Sequence, residues 1–141
     1  MTKIFRHRIT MAGSRREANK WWMARAAKGL SIIVRDSPCS SPIYAPDLAS
    51  ATAELIRKNE NGVFNIVNAG SATPKEIAEE VVSGHPAVTV STTLTQSWFK
   101  APMPKFSVLS TKKVERILQR PLRNWRDAMR ECLFKYRNPG Q

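Results

Sequence analysis

Hydrophobic positions along this chain switch several times between a helical and an extended spacing. Residues 15–28 are Ala-rich, with Trp22 and Ala26 four apart, and predict a helix that Gly29 ends. Residues 30–35 and 63–67 are short apolar runs rich in β-branched side chains and predict strands, as do 4–10 and 87–93. Pro38 and Pro42 stand among three serines, so 36–42 is not helical and predicts a loop. Pro46 and Asp47 suit the first turn of a second helix, which runs to about Lys58 with Leu48, Ala51 and Leu55 on its apolar face. Proline needs no amide partner there, and a carboxylate faces the positive end of the helix dipole. Thr73, Pro74 and Glu76 have the spacing of a capping box, opening a third helix that buries Ile77, Val81 and Val82 and ends by Gly84 and Pro86. Residues 100–106 predict a proline-interrupted loop. Ser110 or Thr111 opens a short helix through Leu118, and Asn124 caps a last one to about Tyr136.

Alternating strands and helices indicate an α/β fold. The strands are few and short. A parallel sheet normally hides between helix layers, so residues 1–141 read as a single partial domain, the end of a larger α/β unit.

Composition changes this picture little: 42% hydrophobic and 24% charged residues exclude a disordered chain. No apolar run approaches the roughly 18 residues of a membrane span. The basic start lacks the apolar core of a secretory signal, which predicts a cytoplasmic protein. Cys39 and Cys132 lie far apart with no Cys/His cluster, which predicts free thiols and no metal site. His7 and His85 have no partners in sequence. The net charge of +12 is unevenly spread. Residues 1–35 hold nine Lys/Arg and one acid, 36–111 five and seven, 112–141 nine and three. Two basic ends flank a mildly acidic middle. Such ends suit a nucleic acid, a pyrophosphate-bearing ligand or plain solvent. Arg120, Arg123, Arg126, Arg130 and Arg137 predict a solvated cationic face on the last helix. Adjacent helical residues point about 100° apart, so only one of Trp21 and Trp22 belongs to a core.

Four segments, in order, carry a resemblance. Ser41-Pro42-Ile43-Tyr44-Ala45-Pro46-Asp47-Leu48-Ala49, Gly62-Val63-Phe64-Asn65-Ile66-Val67-Asn68-Ala69-Gly70, Pro104-Lys105-Phe106-Ser107-Val108-Leu109-Ser110 and Pro121-Leu122-Arg123-Asn124-Trp125-Arg126-Asp127-Ala128-Met129 resemble segments of the dTDP-4-dehydrorhamnose reductases. These are extended short-chain dehydrogenases. The match is clear over 30–134, and Ile4-Phe5-Arg6 and Ala12-Gly13 extend it more faintly. The resemblance implies a C-terminal part of that fold: the end of the Rossmann sheet plus a small substrate-binding subdomain.

It also implies a sugar-nucleotide ligand, a dTDP-4-dehydro-6-deoxy-hexose, with Ser41, Tyr44, Asn68 and Lys105 as the candidate contacts. The family uses NADPH. This sequence is expected to hold no cofactor and no catalytic residue of its own. Its six glycines are too scattered for a dinucleotide-binding turn, and neither Tyr44 nor Tyr136 has a lysine four residues on. Two positions depart from the family: Ile9 stands where it has an aromatic substrate contact, and Met103 where it has an arginine. Self-association or a complementary nucleotide-binding half is expected as partner. The alternative is a non-catalytic regulatory or binding module whose basic ends hold a protein or a polyanion.

Overall fold

A computed structural model describes residues 2–6, 16–36, 38–94 and 104–138. The order is β1 (Lys3–Arg6), α1 (Arg16–Ala27), β2 (Ile32–Arg35), β3 (Cys39–Ser40), α2 (Ala45–Arg57), β4 (Gly62–Asn65), α3 (Pro74–Val81), β5 (Val90–Thr93), β6 (Phe106–Ser107), α4 (Lys112–Leu118) and α5 (Trp125–Arg137). The fold is α/β, as the alternating pattern predicts. The strands form three parallel pairs, β1–β4, β2–β5 and β3–β6. Each pairing joins strands distant in sequence, because parallel neighbours need a crossover.

Two hydrophobic clusters organise these pairs. In one, Ile32 and Val34 of β2 meet Ala26 of α1, Ile77, Ala78 and Val81 of α3, and Trp125, Met129 and Leu133 of α5. In the other, Phe64 and Ile66 meet Ala51 and Leu55 of α2 and Val114 and Leu118 of α4, with Phe5 packed alongside. The helix starts follow their sequence signals. Thr73 Oγ1 accepts from the Glu76 amide at 3.2 Å, and Glu76 Oε2 accepts from the Thr73 amide at 2.8 Å. Asn124 caps α5 by accepting from the Arg126 amide at 2.9 Å.

The two predicted loops differ from expectation. Each contributes a short strand, and Cys39 and Ser40 lie in register with Phe106 and Ser107. Proline forbids helix but favours extended backbone in its neighbour. Once buried, extended backbone needs hydrogen-bond partners, and each loop supplies the other's. The first predicted strand, 4–10, is β1 over Lys3–Arg6, and 7–10 lie outside the described residues, as do His7, Ile9 and Met103. Of the adjacent tryptophans, Trp22 packs against the first cluster while Trp21 is half exposed beneath the Arg25 guanidinium.

Candidate functional site: a buried strap and its clasp

Residues 38–44 cross the molecule as a buried strap. Its backbone is paired at nearly every step. The Cys39 amide donates to Lys105 O, the Ser40 amide to Ala72 O, and the Ala72 amide back to Ser40 O, all at 2.9 Å. Further on, Pro42 O accepts from the Asn68 amide at 3.0 Å, and the Tyr44 amide donates to Asn68 Oδ1 at 2.7 Å. A loop can be buried only when its polar groups are met in this way.

The four residues chosen from sequence therefore come together. Ser41 is buried, and its hydroxyl accepts from the Leu109 amide at 3.0 Å. Tyr44 is buried, its phenol pushed above its ordinary pKa by burial. Asn68 is buried with both ends of its amide engaged: Oδ1 on Tyr44, and Nδ2 donating to Asp47 Oδ2 at 2.6 Å and to Arg123 O at 3.1 Å. Lys105 alone of the four is exposed to solvent. The first three hold the strap, and the fourth presents a cation beside it.

Sequence reasoning missed the clasp at the far end. Asp47 does sit in the first turn of α2, yet its carboxylate also works across the fold. Oδ2 accepts from Asn68 Nδ2 and from Arg123 Nε at 3.1 Å. Arg123 also donates through Nη1 to Glu131 and lies over the Tyr44 ring, 5.4 Å from its centroid. Glu131 in turn accepts from Lys135 at 2.7 Å. Hydrogen bonds from Lys135 and Arg123 hold the Glu131 carboxyl below its ordinary pKa, and Glu131 raises Lys135. The available signals were the i,i+4 spacing of Glu131 and Lys135 and the arginine just before the Asn124 cap.

Arg120, Arg130 and Arg137 are solvated as expected, but several arginines at the carboxy-terminal end are paired with carboxylates. Arg120 pairs with Glu54 at 3.0 Å, Arg126 with Glu76 at 3.2 Å, and Arg130 with Glu80 at 2.9 Å. Arg120 and Arg123 also precede α5 rather than line it. Sequence spacing along one helix could not show that α3 offers carboxylates to it, or that α2 offers them to Arg120 and Arg123 just before it.

Two buried polar atoms among the described residues lack a hydrogen-bond partner: the Ser40 hydroxyl and Arg123 Nη2. The latter is charge-compensated, lying 3.1 Å from Asp47 Oδ2 without hydrogen-bond geometry. One orphan thus lies on the strap and the other on its clasp. A cavity of about 70 Å³ beside the clasp is walled by Ile43, Asp47, Ile66, Asn68, Arg120 and Arg123, among others. Among the described residues, no His/Cys/Asp/Glu group can hold a metal ion, and no helix is long and apolar enough to cross a membrane.

Comparison with known proteins places this arrangement in a family. Residues 2–138 match the model of the RmlD substrate binding domain. The spore coat polysaccharide biosynthesis protein SpsK of Bacillus subtilis is 36% identical over 95 residues, which is 66% of this chain and 33% of that protein. A dTDP-4-dehydrorhamnose reductase from Clostridium acetobutylicum superposes with a TM-score of 0.78 at 21% identity, over 92% of this chain and 46% of that one. The Bacillus anthracis dTDP-4-dehydrorhamnose reductase, solved in complex with NADP, gives 0.71 at 22% identity over 92% and 45%. The chain thus spans a third to about half the length of these relatives. It belongs to the RmlD substrate binding domain family.

Proposed function

We propose that this chain is the sugar-nucleotide-binding portion of a dTDP-4-dehydrorhamnose reductase-type enzyme, and that it does not catalyse hydride transfer by itself. The observation that carries this reading is the strap. Ser41, Tyr44 and Asn68 fix a buried extended segment, the Ser40 hydroxyl within it has no partner, and the Lys105 ammonium stands in solvent beside the β3–β6 pair. A buried unpaired hydroxyl costs roughly 1–3 kcal/mol, and such costs are concentrated where a ligand repays them. Lysine is a common point-charge partner for phosphate. The pairing of Arg126 and Arg130 favours this site over the α5 arginines as the place where an anion is held.

Hydride transfer needs a nicotinamide held against the substrate. This sequence has neither a Gly-rich turn nor a Tyr/Lys pair four residues apart. The chain is therefore assigned substrate binding and not the redox step. A thermal-shift titration tests both parts. A dTDP-sugar at a hundredfold excess over its Kd should stabilise the fold by about 2.7 kcal/mol, and Lys105→Ala should weaken the effect. NADPH should leave the melting temperature unchanged. Stabilisation by NADPH, or sugar-nucleotide-dependent NADPH consumption above a no-enzyme control, would overturn the assignment.

A further inference from the structure

We infer that Asp47 and Arg123 are positioning residues for the ligand site. They fix which way round the Asn68 side-chain amide sits, and through it the place of the strap and its Ser40 hydroxyl, without touching the ligand. The inference rests on the functional reading above and concerns the same site.

The strap lies along residues 68–72 and is fastened to them at both ends. At one end Ser40 and Ala72 exchange backbone hydrogen bonds, each 2.9 Å long. At the other, the Asn68 amide donates to Pro42 O at 3.0 Å and the Tyr44 amide donates to Asn68 Oδ1 at 2.7 Å. Residues 68–72 are in turn wedged against the start of α5. The Ala69 amide donates to Arg123 O at 2.8 Å, and the Trp125 amide to Ala69 O at 3.1 Å. Gly70 has φ +88°, and a Cβ there would stand 3.1 Å from Trp125 Cδ1, so this close approach requires glycine. The rail beneath the strap is thus pinned by backbone. One fastening of the strap to it depends on a side chain, the Asn68 amide.

A side-chain amide keeps nearly the same shape when turned over, so its neighbours decide its orientation. Turned over, Asn68 would set its NH2 against the Tyr44 N–H and its oxygen against the Asp47 carboxylate and Arg123 O. Asn68 is 1% exposed, and mismatched polar groups are costly at such a place. Asp47 is the strongest determinant, because Nδ2 donates to its charged Oδ2 at 2.6 Å. Arg123 holds that same oxygen through Nε at 3.1 Å, offers its own carbonyl to Nδ2 at 3.1 Å, and lies over the Tyr44 ring. The two residues therefore meet the strap's fastening from both sides. An ordinary surface ion pair would be indifferent to what happens at Ser40. This one is coupled to it through Asn68, Tyr44 and the strap.

The test titrates the full 141-residue chain with dTDP-glucose by calorimetry, well below the melting temperature, and follows hydrogen exchange at the Tyr44 amide. Asp47→Ala and Arg123→Ala should each weaken binding by about fivefold or more and speed that exchange. Asp47→Asn loses the charge but keeps an acceptor oxygen for Asn68, so its affinity should stay within about twofold of wild type. Ile117→Ala, a truncation on α4 outside this network, should lower the melting temperature and leave affinity unchanged. If Asp47→Ala does not fold, Arg123→Ala carries the same test. Wild-type affinity in the alanine variants would overturn this inference alone. So would lost affinity with unchanged Tyr44 exchange, Asp47→Asn binding as weakly as Asp47→Ala, or an equal loss in Ile117→Ala. No binding of dTDP-glucose by the wild-type chain would overturn the sugar-nucleotide reading and this inference with it.

Discussion

The β1–β4 and β2–β5 sheets are built alike and finished differently. Each is a parallel pair in strict register. Each presses one face onto a helix-backed cluster, through Phe64 in one and Ile32 and Val34 in the other. Their opposite faces diverge. On β2–β5, Ser31 and Thr89 hydrogen-bond through their hydroxyls at 2.8 Å, and Ser91 stands beside Ile33. One exposed isoleucine among hydroxyls is an ordinary surface. On β1–β4 the bare face carries the aliphatic pair Ile4 and Val63. Two sheets of the same size thus differ in the row they leave exposed, hydroxyl-rich in one and aliphatic in the other.

The largest expected effects lie on the covered faces, where the two sheets should behave alike. Phe64→Ala should destabilise by about 3–5 kcal/mol and Ile32→Ala by about 2–5 kcal/mol, since both side chains are fully buried. Chemical denaturation checks this, and a loss under 1 kcal/mol at either site would mean that its sheet is not anchored as described.

A smaller effect is expected at the clasp of Asp47 and Arg123. Asp47→Ala should cost about 0.5–2 kcal/mol, and Arg123→Ala a similar amount. Each removes one partner of a clasp whose guanidinium is still about a third exposed and so partly screened. In the double variant the two losses should not add, because both break the same contact. Strict additivity would show that Asp47 supports only its own helix.

The smallest effect is on pH dependence. The Thr73 amide holds the Glu76 carboxyl below its ordinary value, and Lys135 and Arg123 do the same for Glu131. A depressed carboxylate stabilises fully above its unfolded pKa, near 4.3, and that contribution is lost as pH falls through the lower folded value. The melting temperature should therefore hold from neutral pH to about pH 5 and fall below it. Replacing Glu76 and Glu131 by Gln should flatten the fall.

Much of this fold could be read from the sequence because the signals are local. The Thr73–Glu76 capping box, the Asn124 cap and the strand run 63–67 each specify their element within a few residues. The candidate residues Ser41, Tyr44, Asn68 and Lys105 came from resemblance, and the fold gathers them around one strap. Long-range pairings were not legible. Nothing in 36–42 or 100–106 announces that Cys39 and Ser40 lie against Phe106 and Ser107, some 67 positions away in sequence. The clasp of Asp47, Arg123 and Glu131 was hidden for the same reason, since its members sit on different elements. The arginines of α5 are solvated as the sequence suggested, but their pairing was not legible, because the carboxylates belong to α3.

The assignment of the strap as a sugar-nucleotide site is tested most directly by amide chemical-shift mapping. Uniformly ¹⁵N-labelled chain titrated with a dTDP-sugar should show saturable shifts centred on Ser40, Ser41, Lys105 and Ser107, with Ile33 and Ser91 silent. Shifts confined to α5 or to the β2–β5 face, or none at millimolar ligand, would contradict it.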